Sequence, residues 1–213
     1  MALLAPHDDT SLSRLFDARR LWHGHARPNL AEGIPTGLAA LDAALPQGGW
    51  PPAALSEILL PADGVGELQL LLPALAVLAS AQRPVMLIAP PYLPGVAGWS
   101  GGGVDMRQVV IVQASSPLDA LWAMEQCLRS AAAAAVLGWP HEADDRALRR
   151  LQVAADTGQT PAFAFRDRRH AGHASPAALR LELEARPTPQ LRVRKCRGGQ
   201  PPAQAIALAR RSA

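Results

Sequence analysis

Short apolar runs alternate with helix-like stretches along this chain from residue 55 onward. Continuous apolar runs are typical of strands buried on both faces, whereas apolar positions repeated every three or four residues indicate amphipathic helices. The pattern predicts strands at 56–60, 85–89, 108–113, 132–138 and 161–165. It predicts helices at 68–81, from 117 onward, and at 142–157. Strands separated by helices form parallel βαβ units with right-handed crossovers, so we expect an α/β fold with a mainly parallel central sheet flanked by helices.

The helix that begins at Pro117 has the clearest local signals. Ser116 is placed as its N-cap, Pro117 stands at the first helical position, and Asp119 completes a variant of the capping box. Its apolar positions predict one buried stripe, formed by Leu118, Leu121, Trp122 and Leu128.

The two ends of the chain differ from this central pattern. Apolar and charged residues alternate strictly at 179–184 and 191–194, which predicts an antiparallel hairpin on the edge of the sheet. Apolar spacings of three and four residues near the start predict one short N-terminal helix. Its predicted docking positions are Leu12, Leu15, Phe16 and Trp22. The predicted organisation is a helix and linker at 1–33, a core domain at 34–197 and a basic, flexible tail at 198–213.

Composition is that of a folded globular protein, since 49% of the 213 residues are apolar and only 18% are charged. The net charge of +3 is unevenly spread, because residues 186–213 include seven basic residues and no acidic ones. Two cysteines cannot form a disulfide framework, and no apolar run approaches the roughly 20 residues of a membrane span. We therefore expect a cytoplasmic protein without a membrane segment, whose basic surplus is local to the C-terminal region.

A strand, a glycine-containing loop and a helix follow one another at 57–68, which is the frame of a phosphate-binding loop. Such a loop requires the pattern G-x-x-x-x-G-K-[ST], in which amides and Lys bind phosphate and a hydroxyl holds magnesium. The loop residues at issue here are Pro61, Gly64, Gly66, Glu67 and Leu68. Glu67 stands in place of the Lys, and a carboxylate about 4 Å from a phosphate repels it by roughly 4 kcal/mol at an effective dielectric constant near 20. The sequence predicts a degenerate loop that binds no nucleotide and no other cofactor.

Several motifs resemble the core of RecA recombinases. The T-G, L-D-x-x-L, G-G-x-P and E-I motifs of that family have counterparts, in the same order, at 36–37, 41–45, 48–51 and 57–58. Within this family the chain is most similar to the degenerate SulA-like branch, and there to the ImuA group of translesion-synthesis accessory proteins. That similarity rests on the segments 21–24, 45–51, 66–75, 88–94, 120–126, 128–130 and 136–139. The resemblance implies a RecA-like core over about 34–197.

The resemblance also bears on catalysis. A RecA-like ATPase has a catalytic Glu after the strand that corresponds to 85–89, and a magnesium-linked Asp at the end of the stretch that corresponds to 132–137. This chain has Pro90 at the first place and Gly138 at the second. Since neither a base nor a metal-binding carboxylate is present there, the resemblance implies a scaffold without enzymatic activity and without catalytic residues.

Function is expected to follow from contacts with other macromolecules. The resemblance implies an adaptor of SOS-induced, error-prone translesion DNA synthesis that contacts ImuB, the error-prone polymerase III alpha-type subunit and RecA, and that joins the nucleoid when engaged. The alternative is a SulA-like inhibitor of cell division that binds FtsZ. A weak direct contact with DNA and a homo-oligomer both stay open.

Basic and aromatic residues outside the loop mark the candidate contact surfaces. Arginines after the strand at 161–165 could contact DNA phosphates, the alternative being a solvated loop or a contact with a protein. Basic residues on one face of the C-terminal hairpin and in the tail could hold an acidic protein or DNA, the alternative being charge that protects an edge strand. Trp is enriched in protein interfaces, which adds Trp139, the alternative being packing in the core or in a loop. The candidates are Trp139, Arg166, Arg168, Arg169, Arg192, Arg194, Lys195, Arg197, Arg210 and Arg211.

The histidine pairs at 23/25 and 170/173 have no further ligands at suitable spacing, so no metal site is predicted.

Overall fold

The structure is a computed structural model that describes residues 32–79, 83–184 and 188–208. Several predicted positions lie outside the described residues, namely Leu12, Leu15, Phe16, Trp22, Arg210 and Arg211. Within the described part, no helix is long and apolar enough to cross a membrane.

One eight-stranded sheet organises the described residues. Its strands are β1 (Leu55–Leu60), β2 (Val85–Ile88), β3 (Val109–Val112), β4 (Ala135–Gly138), β5 (Ala162–Asp167), β6 (Leu179–Glu184), β7 (Gln190–Cys196) and β8 (Ile206–Ala207). They are arranged in the order β3-β2-β4-β5-β1-β6-β7-β8. Neighbours from β3 to β6 are parallel, whereas β7 is antiparallel to both of its neighbours, β6 and β8. The predicted α/β fold, with a mainly parallel sheet and antiparallel C-terminal strands, is confirmed.

Hydrophobic cores lie on both faces of the sheet, which is why its central strands are mainly apolar. The exceptions include Glu57 of β1 and Arg166 of β5, which are buried. The helices are α1 (Ala39–Ala44), α2 (Leu72–Ala79), α3 (Val96–Gly101), α4 (Pro117–Arg129) and α5 (Asp145–Thr157). Leu128 of α4 and Leu151 of α5 belong to one core, whereas Leu75 of α2 and Trp99 of α3 belong to the other. β1 contributes to both, since Leu55 and Ile58 point to opposite faces.

The buried stripe predicted for α4 is only partly right. Ser116 does cap the helix, because its Oγ accepts a hydrogen bond of 3.1 Å from the Asp119 amide. Leu128 is buried, but Leu118 is 77% exposed and Trp122 is 61% exposed. The helix turns Met124 and Leu128 toward the sheet, so the line through Leu118 and Trp122 is rotated away from the core.

The C-terminal hairpin continues into a third antiparallel strand. Ile206 and Ala207 of β8 pair with Leu191 and Gln190 of β7. Ile206 and Leu208 also pack against one of the hydrophobic cores. These residues were expected in a flexible tail, and the structure instead places them in the sheet; the predicted domain boundaries themselves stay a prediction.

Candidate protein-docking surface

The degenerate phosphate loop closes on one of its own side chains. Residues 61–66 leave the end of β1 and enter a short 3₁₀ helix (Glu67–Leu70), and Gly66 has a left-handed φ of 96°, which favours glycine. Glu67 is buried, and its Oε1 accepts a hydrogen bond of 3.0 Å from the Gly64 amide. In a functional loop such amides donate to phosphate. Here the carboxylate takes the donor and adds a negative charge, so the loop geometry opposes phosphate binding.

A groove opens between this loop and the segment 91–102, and we call it the loop groove. Its volume is about 760 Å³. Among the residues that line it are Gly64, Glu67, Leu68, Leu72, Tyr92 and Trp139. Tyr92, Leu93 and Val96 on the same segment are 65%, 72% and 63% exposed, and we call these three the apolar rim. Large exposed apolar side chains beside a concave surface are typical of protein-binding sites.

Trp139 lies in the wall of the loop groove, directly after β4. Its ring stacks on Phe165 of β5, with centroids 4.9 Å apart and planes inclined by 27°. The side chain is half-buried, and its Nε1 has no hydrogen-bond partner among the described residues. Trp139 is therefore held by the core on one side and borders the groove on the other.

Arg166 lies inside the protein instead of in a DNA-binding loop. It is 3% exposed, and its Nη1 donates to Oε1 of Glu57 at 2.7 Å. Its other nitrogens donate to the Pro140 and Ala143 carbonyls. Burial and these contacts remove Arg166 from the candidate interface. The residue type alone could not show this, because its ion-pair partner Glu57 lies on β1, more than a hundred residues earlier.

The next two arginines are exposed on a 3₁₀ helix (Arg168–Gly172). The amide of Arg169 donates to Asp167 at 2.7 Å, and this hydrogen bond lowers the pKa of the Asp167 carboxyl below its usual range. The Arg169 side chain pairs with Glu142 at 3.3 Å. Carboxylates thus stand beside these arginines, and DNA contact by Arg168 and Arg169 stays a prediction.

A smaller cleft, of about 220 Å³, lies where β1 and β5 end. His141 Nε2 lies 3.2 Å from Asp63 Oδ2 in its wall, and Asp167 and Arg169 border it. Within the described ranges, no group of three or more His, Cys, Asp or Glu side chains is placed to hold a metal ion. The contact between His141 and Asp63 joins the segment after β4 to the degenerate loop. The residues that line the cleft include no Ser, Thr or Cys nucleophile.

Glutamates on β6 neutralise much of the predicted basic face of the hairpin. Arg192 Nε donates to Glu184 at 3.2 Å, and Arg194 Nε donates to Glu182 at 2.6 Å. The sequence count missed this pairing because both glutamates precede residue 186, where the basic run begins.

The last two basic residues of the hairpin serve the fold through backbone contacts. Lys195 Nζ donates to the Ser175 carbonyl at 2.7 Å, and Arg197 donates to the Pro176 carbonyl at 3.3 Å. Burial lowers the pKa of Lys195, and the nearby charge of Arg197 lowers it further. A binding role for the hairpin residues stays a prediction, but each of them has a hydrogen-bond partner inside the described part of the chain.

Comparison with known proteins identifies the family. The family model described as cell division inhibitor SulA matches residues 53–162, just over half of the chain. The chain belongs to the SulA family. This range contains all of the residues that line the loop groove, whereas β6, β7 and β8 lie outside it.

Individual relatives carry the same description. The cell division inhibitor SulA of Yersinia enterocolitica is 30% identical over 112 residues, which are 53% of this chain and 67% of the relative. The SulA of Pectobacterium carotovorum is 31% identical over 121 residues, 56% of this chain and 72% of the relative. The crystal structure of SulA from Pseudomonas aeruginosa is 30% identical, with a TM-score of 0.45, and covers 54% of this chain and 98% of that one.

These findings correct the expected partners. The family and its relatives are described as inhibitors of cell division, so the expectation of ImuB, the polymerase III alpha-type subunit and RecA as partners was wrong. The expected SulA-like character is confirmed, whereas the ImuA group and a role in translesion synthesis find no support among the relatives.

Proposed function

We propose that this protein inhibits cell division during the SOS response by binding the tubulin homologue FtsZ through the loop groove and its apolar rim. The observation that carries the proposal is that three large, exposed apolar side chains stand beside a groove that lies within the SulA-family range. Burial of apolar surface is the dominant favourable term in most protein–protein association.

The protein acts as a binding protein and not as an enzyme in this proposal. Glu67 replaces the phosphate-binding Lys, and its carboxylate closes the loop against nucleotide. We also propose that the chain descends from a RecA-like core. The RecA-like motifs, which occur in the family's order at 36–58, support this descent. We do not propose a role in translesion synthesis, because no observation on the described residues supports one.

A polymerisation assay with a matched pair of variants tests this function. Purified FtsZ is polymerised with GTP, and sedimented polymer is measured as the protein is added. We expect the wild type to reduce the polymer, and Leu93→Glu to require at least tenfold more protein, because a charge in the rim opposes burial. Leu118→Glu is the control, since Leu118 is equally exposed at 77% but lies on α4, away from the groove lining.

Two outcomes contradict the proposal. Polymerisation that is unchanged by an excess of folded wild-type protein removes FtsZ as the target. Inhibition that is weakened equally by Leu93→Glu and Leu118→Glu removes the loop groove as the binding surface.

A further inference from the structure

Glu67 has an unusual environment at the loop groove. The side chain is 3% exposed, and Oε1 is used by the Gly64 amide. Oε2 is also buried but has no hydrogen-bond partner among the described residues. A buried carboxylate oxygen without a donor is costly, so this atom calls for a donor from outside the described contacts.

Two aromatic side chains line the same groove as Glu67. Tyr92 lies against the loop, since a Cβ at Gly64 would come within 3.3 Å of its ring. Trp139 also lines the groove, and its Nε1 is a buried donor with no acceptor among the described residues. The groove therefore combines an acceptor, a donor and an aromatic surface.

We propose that the loop groove contains a pocket for an arginine side chain of the partner protein. Glu67 Oε2 accepts from the guanidinium, the Tyr92 ring stacks on its plane, and Trp139 Nε1 donates to a backbone carbonyl of the same segment. Leu68 and Leu72 pack along the aliphatic stem. The replacement of the phosphate-loop Lys by Glu thus turns an anion-binding site into a cation-binding site.

The choice of ligand follows from charge and shape. An anion is repelled by the Glu67 carboxylate, and a neutral apolar side chain leaves both Oε2 and the indole N–H without partners. Lysine satisfies the charge but offers no planar group to the Tyr92 ring. The segment that docks at the loop groove therefore presents an arginine. This assignment rests on the proposed docking function, but it can be tested without FtsZ.

The test is a titration of the full-length protein followed by NMR. The probes are N-acetyl-arginine amide and its neutral, nearly isosteric analogue N-acetyl-citrulline amide, and the signal is the Trp139 indole N–H, assigned with Trp139→Phe. We expect the arginine probe to shift this signal with saturation, and citrulline to bind at least tenfold more weakly.

Glu67→Gln keeps the shape of the side chain and should lower the affinity for the arginine probe at least tenfold. Equal shifts with both probes, no shift with either, or an unaltered affinity in folded Glu67→Gln overturns the proposal.

A second variant keeps the test decisive if Glu67→Gln does not fold. Tyr92→Leu changes a side chain that is 65% exposed, so the fold should survive, and the arginine probe should bind several-fold more weakly. An unchanged affinity in Tyr92→Leu would contradict the stacking arrangement and with it the arginine pocket.

The chain's own basic tail is the competing occupant. If Arg210→Gln together with Arg211→Gln tightens binding of the probe tenfold or more, the tail fills the pocket and the proposed partner segment is wrong. If the wild type does not act on FtsZ but still binds the arginine probe with saturation, the proposed function is wrong and the arginine pocket stands. If the wild type inhibits FtsZ but does not bind the arginine probe with saturation, the arginine pocket is wrong and the proposed function stands.

Discussion

At the scale of single residues, Glu57 holds three neighbouring strands together. It is wholly buried in β1 and accepts from Arg166 of β5 at 2.7 Å and from Arg180 of β6 at 2.6 Å. The remaining donors of Arg180 go to the carbonyls of His170, Ala171 and His173. Two guanidinium groups are thus buried around one carboxylate, which is the counter-charge that both of them share.

Glu57→Gln should destabilise the fold strongly. Removal of the negative charge leaves two buried cations without their shared counter-charge, and we expect the free energy of unfolding to fall by about 3–5 kcal/mol in urea denaturation. Glu142→Gln is the control, because Glu142 is exposed and pairs with Arg169 at the surface, so its change should stay within about 0.5 kcal/mol. Equal losses in the two variants would show that the buried cluster has no special role.

At the scale of elements, one carboxylate joins helices α4 and α5. Glu125 on α4 is buried and pairs with Arg129 one turn later and with Arg150 on α5. Burial raises the pKa of Glu125, but the hydrogen bonds from Arg150 and Arg129 outweigh this, so the pKa lies below its usual range. The helix pair is therefore most stable when this carboxyl is ionised.

The stability contributed by Glu125 should depend on pH with a defined sign. Because the folded pKa is lowered, the contribution is complete above the unfolded pKa of about 4.3 and is lost as the pH falls through the folded value. In urea denaturation, Glu125→Gln should be less stable than the wild type at pH 7, and the difference should shrink toward pH 3. Asp145→Asn, which removes an exposed pair with Arg149, should show little difference at either pH. A Glu125→Gln difference that does not change with pH would contradict the assignment.

At the scale of the whole molecule, charge and family range divide the sheet into two parts. The SulA-family range runs from just before β1 to the start of β5 and contains the loop groove. The antiparallel strands β6 to β8 follow it and hold their basic residues in contacts with glutamates and carbonyls. The proposed docking surface thus lies within the family range, whereas the strands that follow it pair their basic residues inside the chain.

Removal of residues 200–213 separates partner binding from the stability of the fold. The truncated chain loses β8 and the packing of Ile206 and Leu208, so we expect the free energy of unfolding to fall by about 2–4 kcal/mol in thermal or urea denaturation. Inhibition of FtsZ polymerisation, measured below the melting transition, should be unchanged because the loop groove is intact. Loss of inhibition in a folded truncated chain would instead place a partner site in the tail, as the charge pattern of the sequence predicts.

Local patterns predicted much of the fold and part of the candidate site. The long helix at Pro117–Arg129 was expected from its cap and the strand at Leu179–Glu184 from its alternation, since both signals lie within a few residues. Helices α1 and α3 have six residues each and were not predicted, because so short a segment carries no clear period. The reversal of charge at Glu67 was visible in the sequence. The sequence could not show that Oε2 of Glu67 is buried without a hydrogen-bond partner among the described residues.

The sequence by itself determined the fold class, the degenerate loop and the SulA-like character, because periodicity and residue types at a motif are local properties. Only the tertiary structure decided that Arg166 is buried, that Trp122 is exposed, and that Arg194 meets Glu182. Each of these outcomes depends on which strand or helix arrives beside the residue, and therefore on contacts between segments that are distant along the chain. The same reason explains why Glu67, Tyr92 and Trp139 were recognised as one groove only after the chain was folded.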